Sequence, residues 1–289
     1  MRRMLVHAAV ATALLTTIGP ARAADVSLGG ARDRWPTEIT RRPLTLGAGM
    51  IEIWGPVQLN ASKDADWKPV TLNPSLAFGL TDQWQIGVRH LTGLCLGGAN
   101  NGCANVYSDV GAFTRISVVR GGGLDVAVQG GVDVVRLQEP RNYAGWAGLV
   151  FRGGGGAVAL TVAPAVNFGL KDRDTIASRS APISWNLGTY DVVTNQATVG
   201  NKEHLSVPAT LQLQLGPALA VAVGASLEGP LNPVTGSFSD FYRVPLGAAV
   251  VVTPFRYLDL GAAFTFPAFA GKNDTRDLRF LSAFVAFRI

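Results

Sequence analysis

Few residues of this 289-residue chain have the types and spacing that chemistry needs. Beyond the N-terminal stretch only His90 and His204 remain of its three histidines, and nothing beside them completes the ligand set of a zinc site. The glycine runs after Arg120 and Arg152 lack the Lys and Ser or Thr that follow a phosphate-cradling loop, so they read as turns. Cys95 and Cys103 enclose LGGANNG, and in an exported chain such a pair forms a loop disulfide that persists. No metal ligand, cofactor or catalytic residue is assigned. What remains is a set of charged and amide side chains at alternating positions: Arg89, Asp109, Arg115, Asp125, Gln129, Asp133, Arg152, Glu228, Arg243, Asp259 and Arg288. Five of these are cationic and five anionic. Together they suit the lining of a weakly selective pore or a set of internal ion pairs, since a strongly selective pore presents rings of one sign.

The alternation is what positions them. In PVTLNPSLAFGL, Val70, Leu72, Leu76, Phe78 and Leu80 fall on one face, with Thr71, Asn73, Ser75, Ala77 and Gly79 on the other. That period of two is the strand signal. It recurs in LDVAVQGGVDVV, AVALTVAPAVNFGL, LSVPATLQLQL and ALAVAVGASLE. Further segments near 44–53, 84–92, 105–119, 143–152, 241–252, 257–266 and 279–289 bring the count to about twelve. Most approach the nine to eleven residues with which a tilted strand crosses a bilayer. Tight connections at 81–83, 121–123, 153–156, 216–217 and 253–254 alternate with long polar ones, of which 171–203 is the longest. Short periplasmic turns and longer extracellular loops are the pattern of outer-membrane barrels. The fold expected is therefore all-β: a closed antiparallel transmembrane β-barrel spanning 44–289.

The N-terminus supports export. Arg2 and Arg3, an apolar run from Met4 to Ile18 and Ala21-Arg22-Ala23 read as a signal peptide over 1–23. Its removal takes three basic side chains and lowers the formal charge from +5 to +2. Dispersed charges of that balance leave no basic footprint for nucleic acid. Residues 24–43 carry no period and read as a periplasmic lead-in or a segment tucked into the barrel mouth.

On the apolar face, Trp84, Phe151 and Phe287 fall at the short-turn ends of strands, and Tyr143, Phe168, Tyr242 and Phe266 near the opposite ends. These positions predict aromatic girdles at the two headgroup levels. In the longest connection, ISWNLGTYDVV is apolar and aromatic. It either folds inward as a constriction, with Trp185 and Tyr190 against a solute, or extends outward as a hairpin.

The last strand, FLSAFVAFRI, resembles the C-terminal signal read by the barrel assembly machinery of the outer membrane, ending on Ile289 where that signal usually has Phe. The hairpin LAFGLTDQWQIGV is similar to a unit of small outer-membrane barrels, including transporters of the phenol-degradation MetA type. The resemblance implies residence in the outer membrane of a Gram-negative bacterium. Lipid, lipopolysaccharide, the assembly machinery and a small solute are the partners it implies. The leading function expected is passage of a small solute, and the alternative is a non-conducting structural or surface-interaction barrel. Outer-membrane lipid hydrolases place His and Ser two residues apart on one strand. Here His90-Leu91-Thr92 lacks the Ser, and Ser108 is the nearest substitute.

Overall fold

The computed structural model describes residues 33–63, 65–91, 93–97, 109–135, 142–170, 178–180, 183–186, 191–194, 197–199, 203–233, 236–271 and 277–289. The expected signal peptide, Cys103, Ser108 and Tyr190 lie outside these residues.

Twelve antiparallel strands form one closed wall, the last pairing with the first. In chain order they are β1 (Ile51–Asn60), β2 (Val70–Leu72 and Ser75–Thr81), β3 (Trp84–His90 and Leu94–Gly97) and β4 (Asp109–Val119). Next come β5 (Leu124–Val135), β6 (Asn142–Gly155), β7 (Val158–Val162 and Ala165–Gly169) and β8 (His204–Gly216). The ring is completed by β9 (Leu219–Pro230), β10 (Arg243–Phe255), β11 (Leu258–Gly271) and β12 (Phe280–Arg288). Pro74 and Pro164 interrupt β2 and β7 because proline has no N–H for the ladder. Their carbonyls still accept the amides of His90 and Leu149, at 2.9 Å each, so the wall stays paired through both breaks.

Period two decides which side faces out. Along β12, Leu281, Ala283, Val285 and Phe287 are exposed, whereas Phe280, Ser282, Phe284, Ala286 and Arg288 are buried. The same holds around the ring, with Val88, Val132, Leu160, Val223, Val250 and Leu260 among the outward apolar side chains. In water such a continuous apolar surface would be an association surface. In lipid it is the required one, and closure removes the unpaired edges that hydrocarbon does not tolerate. Among the described residues no helix is long and apolar enough to cross a membrane.

The expected first strand at 44–53 needs correction, since the wall begins at Ile51. Leu44, Thr45 and Leu46 are all fully buried, on both parities, because residues 35–50 run inside the barrel rather than in its wall. Within this segment only Ile39–Arg41 form a helical turn. Leu46 packs with Trp35, Met50 and Ala77, and Ile39 packs with Ala222, Ala249 and Phe284. Gly79 is where the segment lies flat on the wall: a Cβ there would stand 2.0 Å from the Gly47 carbonyl oxygen. The two backbones exchange hydrogen bonds instead, Gly49 N–H to Gly79 O at 2.8 Å and Gly79 N–H to Met50 O at 2.9 Å.

The girdle expectation also needs one correction. Trp84, Phe151, Phe168 and Phe287 are exposed on the outer face, and Tyr143 and Phe266 are half-buried in β6 and β11. Tyr242 is in no strand. It ends a short helix, Phe238–Phe241, and stacks on Phe238. At the short-turn end, Phe255 and Tyr257 stack at 5.2 Å and Tyr257 meets Phe287 edge-on, adding two rings that alternation alone did not single out.

A closed barrel of this kind is expected to migrate anomalously on electrophoresis when unheated and to give a β-type circular dichroism spectrum in detergent. Identical migration before and after boiling, or a helical spectrum, would overturn the architecture.

Candidate functional site

The interior has two levels. The lower one, at the short-turn end, is where the inner segment meets the wall. Arg42, wholly buried, donates from Nη1 and Nη2 to the two Asp259 oxygens at 2.6 and 2.8 Å. Arg288 donates to the same carboxylate at 2.7 Å and to Glu52 at 2.7 Å, and its guanidinium lies over the Trp35 ring. Thr253 donates to Asp259 at 2.7 Å. This puts two cations and two carboxylates in one network, consistent with the rule that buried charges are paired and hydrogen-bonded.

An irregular backbone at membrane depth has amides and carbonyls without ladder partners, and wall side chains supply them. Arg152 donates to the carbonyls of Arg42 and Ile39, and Arg115 to that of Leu44 at 3.2 Å. Gln214 accepts from the Ile39 amide at 2.8 Å, and Gln85 from that of Leu46 at 2.9 Å. Arg120 bonds Thr45 Oγ1 and the carbonyl of Asp82, while the Asp82 carboxylate accepts from Ala48 N–H. Asp82 and Gly156, whose carbonyl accepts from Thr40 Oγ1 at 2.6 Å, both lie at short turns. The segment is thus fixed across the short-turn end of the barrel.

The upper level holds two further ion pairs. Glu228 on β9 meets Arg243 on β10 at 2.9 Å and Ser206 on β8 at 3.4 Å. Across the lumen Arg89 on β3 meets Asp133 on β5 at 3.6 Å, and its guanidinium lies over Trp146 on β6. β4 separates that pair, and the residue in register between them is Gly111. A Cβ at Gly111 would stand 2.3 Å from Asp133 Oδ1, so the bridge crosses β4 only because that position has no side chain.

Of the residues expected to line the lumen, Arg115, Gln129, Arg152, Asp259 and Arg288 thus belong to the lower level, with Gln129 accepting from Arg115 at 2.9 Å. Arg89, Asp133, Glu228 and Arg243 belong to the upper. Asp125 stands at the turn, where it accepts from Gly121 N–H at 3.2 Å. Asp109 begins β4, but its side chain lies outside the described residues. Sequence reasoning missed Arg42, Glu52, Trp54 and Trp146. Trp146 has the parity of Arg152 and could have been placed inward on that ground. Arg42 lies outside any strand, so alternation gave no signal for it.

Inside the longest connection, Ile183–Asn186 pairs antiparallel with Asp191–Thr194, and Ser178–Ser180 with Ala197–Val199. This hairpin carries Trp185 in its first inner strand. The backbone of Asp191–Thr194 comes close to β11, three strands beyond β8. His90 is buried in β3 and accepts from Gly93 N–H through Nδ1 at 2.8 Å. Cys95 pairs in register with Thr71, and among the described residues no cysteine is free. No cluster of three or more metal-ligating side chains occurs among the described residues.

No family model and no curated protein matches the chain. Solved structures do. An outer membrane channel from Pseudomonas putida F1 aligns over 85% of this chain and 97% of its own, with a TM-score of 0.55 at 10% identity. The NanC porin aligns over 82% and 97%, with a TM-score of 0.47 at 7% identity. OmpF of Salmonella typhi, in complex with daunomycin, aligns over 84% and 98%, with a TM-score of 0.41 at 9% identity. The first of these shares the fold, a closed antiparallel β-barrel.

Asp259→Ala leaves Arg42 and Arg288 buried without their shared carboxylate. It is expected to destabilise the protein by about 3–5 kcal/mol, read as a lower unfolding midpoint in urea, and to make the bond between Arg41 and Arg42 cleavable by trypsin in the folded barrel. An unchanged midpoint would mean that the network does not hold the inner segment.

Proposed function

We propose that the protein is an outer-membrane channel for a small solute, closed at its periplasmic end by residues 35–50. The observation that carries this reading is the division of the wall: a continuous apolar outer face around an interior of small, polar and paired charged side chains. The shared fold with an outer membrane channel supports it. Twelve strands lie between eight-stranded barrels filled by side chains and sixteen-stranded open porins, a size at which one inner segment suffices to block the lumen. The hairpin of the longest connection is assigned to the extracellular mouth as a second constriction. Lipid and lipopolysaccharide surround the wall, and the assembly machinery receives the C-terminal strand after export with a cleaved signal peptide. No observation favours lipid hydrolysis. A non-conducting barrel remains the competing reading, favoured by the density of the lower network.

Planar-bilayer recordings separate the two. The full-length protein is expected to open rarely and with weak ion selectivity. Deleting residues 33–48 should give steady conductance with heat-modifiable migration preserved, and deleting Ser178 to Asn195 should raise conductance further. A correctly folded barrel that stays silent without its inner segment would sink the channel reading. We also assign Cys95 and Cys103 to one disulfide at the mouth. Mass spectrometry of unreduced peptides should find them linked, and two alkylatable thiols in exported protein would refute the link.

A further inference from the structure

Exposure divides the inward arginines by level. Those of the lower level are shut in: Arg42 is 1%, Arg115 and Arg152 are 3% and Arg288 is 0% exposed. At the upper level solvent reaches the side chains of Arg89 and Arg243, which are 15% and 14% exposed, while those of Asp133 and Glu228 are 9% and 2% exposed. Each pair therefore turns its cation to the lumen. The two cations are not equally spent. Arg243 donates to Glu228 from Nε at 3.1 Å and from Nη2 at 2.9 Å. Arg89 stands 3.6 Å from Asp133, beyond hydrogen-bond distance, and its Nε has no partner among the described residues. A guanidinium carries five donors, so this one has donors left to offer. Its neighbours in register are Ser75 on β2 and Gly111 on β4, both too short to cover it.

Resting on the channel reading, we propose that Arg89 sets the solute class of the lumen: small carboxylates, which its guanidinium meets in passage. Trp146 covers one face of the guanidinium, with the ring centroid 5.1 Å away. An acceptor then approaches along the N–H edge, in the planar two-pronged geometry that a carboxylate offers. Contact with a passing anion needs only that exposed edge and no closed pocket. A neutral solute gains less there, because hydrogen bonds between charged groups are stronger than neutral ones. A cation is repelled by the same edge. Beneath it the field has the same sign: the hydrogen bonds of Arg152 go to the carbonyls of Arg42 and Ile39 and to Gln212, all uncharged acceptors. Low-dielectric walls focus such a field along the lumen. The balance of cations and anions keeps the pore weakly selective, and Arg89 gives that selectivity its sign.

Two measurements on the full-length protein test this. In planar bilayers, reversal potentials under a gradient of potassium acetate should show acetate preferred over potassium at least twofold. Arg89→Gln should abolish or invert that preference, Arg89→Lys should keep its sign, and Asp133→Asn should raise it. In detergent, modification of arginines by phenylglyoxal, read residue by residue by mass spectrometry, should be faster at Arg89 than at Arg243. Acetate should slow the reaction at Arg89 at least threefold, and acetamide, its uncharged isostere, should not. A preference for potassium, an unchanged acetate preference in a folded Arg89→Gln barrel, or equal effects of acetate and acetamide at Arg89 would each overturn the proposal. If the variants lose heat-modifiable migration, the modification of the unaltered chain still decides. A barrel that conducts without preferring acetate loses the role of Arg89 and keeps the channel. One whose Arg89 is shielded by acetate but which never conducts, even without its inner segment, keeps the anion contact and loses the channel.

Discussion

Every backbone amide and carbonyl at membrane depth needs a partner, and this single constraint organises both parts of the molecule. In the wall the ladder meets it, which is why β12 must return to β1 and why the breaks at Pro74 and Pro164 keep their carbonyls engaged. For residues 35–50 no ladder exists, and the long side chains of Arg152, Arg115, Gln85 and Gln214 reach in from the wall to the irregular backbone. Guanidinium groups suit this role because several donors on one planar group reach carbonyls and carboxylates together. Their charge then has to be balanced, and Asp259 and Glu52 do so from adjoining strands.

Volume is managed by the same economy of side chains. Where a large residue must lie inward, the next strand has glycine in register: Trp146 lies over Gly131, Phe113 over Gly87 and Phe284 over Gly261. Gly111 serves an ion pair in the same way. Aromatic bulk thus enters the interior from both the first and the last strands, each ring seated where the neighbouring strand gives way. The inner segment packs on all sides of this lining, through Ile39 on β9 to β12, Leu46 on Ala77 of β2 and Leu44 on Ala127, Val150 and Ala163 of β5 to β7.

The wall was legible because period two is a backbone property: one glance at FLSAFVAFRI separates Leu281 and Val285 from Ser282 and Arg288, and the structure divides them in the same way. Alternation also put Arg115, Arg152 and Asp259 on the inward parity, where each is buried. Residues 33–50 were not legible in that manner. Leu44, Thr45 and Leu46 are buried on all sides, so the apolar and polar positions follow no period, and the segment shares its composition with an ordinary solvated lead-in. Ion-pair partners were hidden for a different reason. Arg42 and Asp259 stand 217 residues apart, and only the ring closure that brings the last strands beside the first can join them.

That separation ties the inner segment to the seam of the ring. Arg42 precedes the first strand, but its acceptor Asp259 and that acceptor's second cation, Arg288, lie on β11 and β12. Until β11 and β12 are in place, the early segment has no counter-charge to settle on, and until β12 joins β1 the wall has no seam. Ile51, the first wall residue after the segment, exchanges both backbone hydrogen bonds with Ile289, the final residue of the chain. Anchoring of the inner segment and closure of the ring therefore draw on the same two strands, and a change that loosens β11 or β12 loosens both.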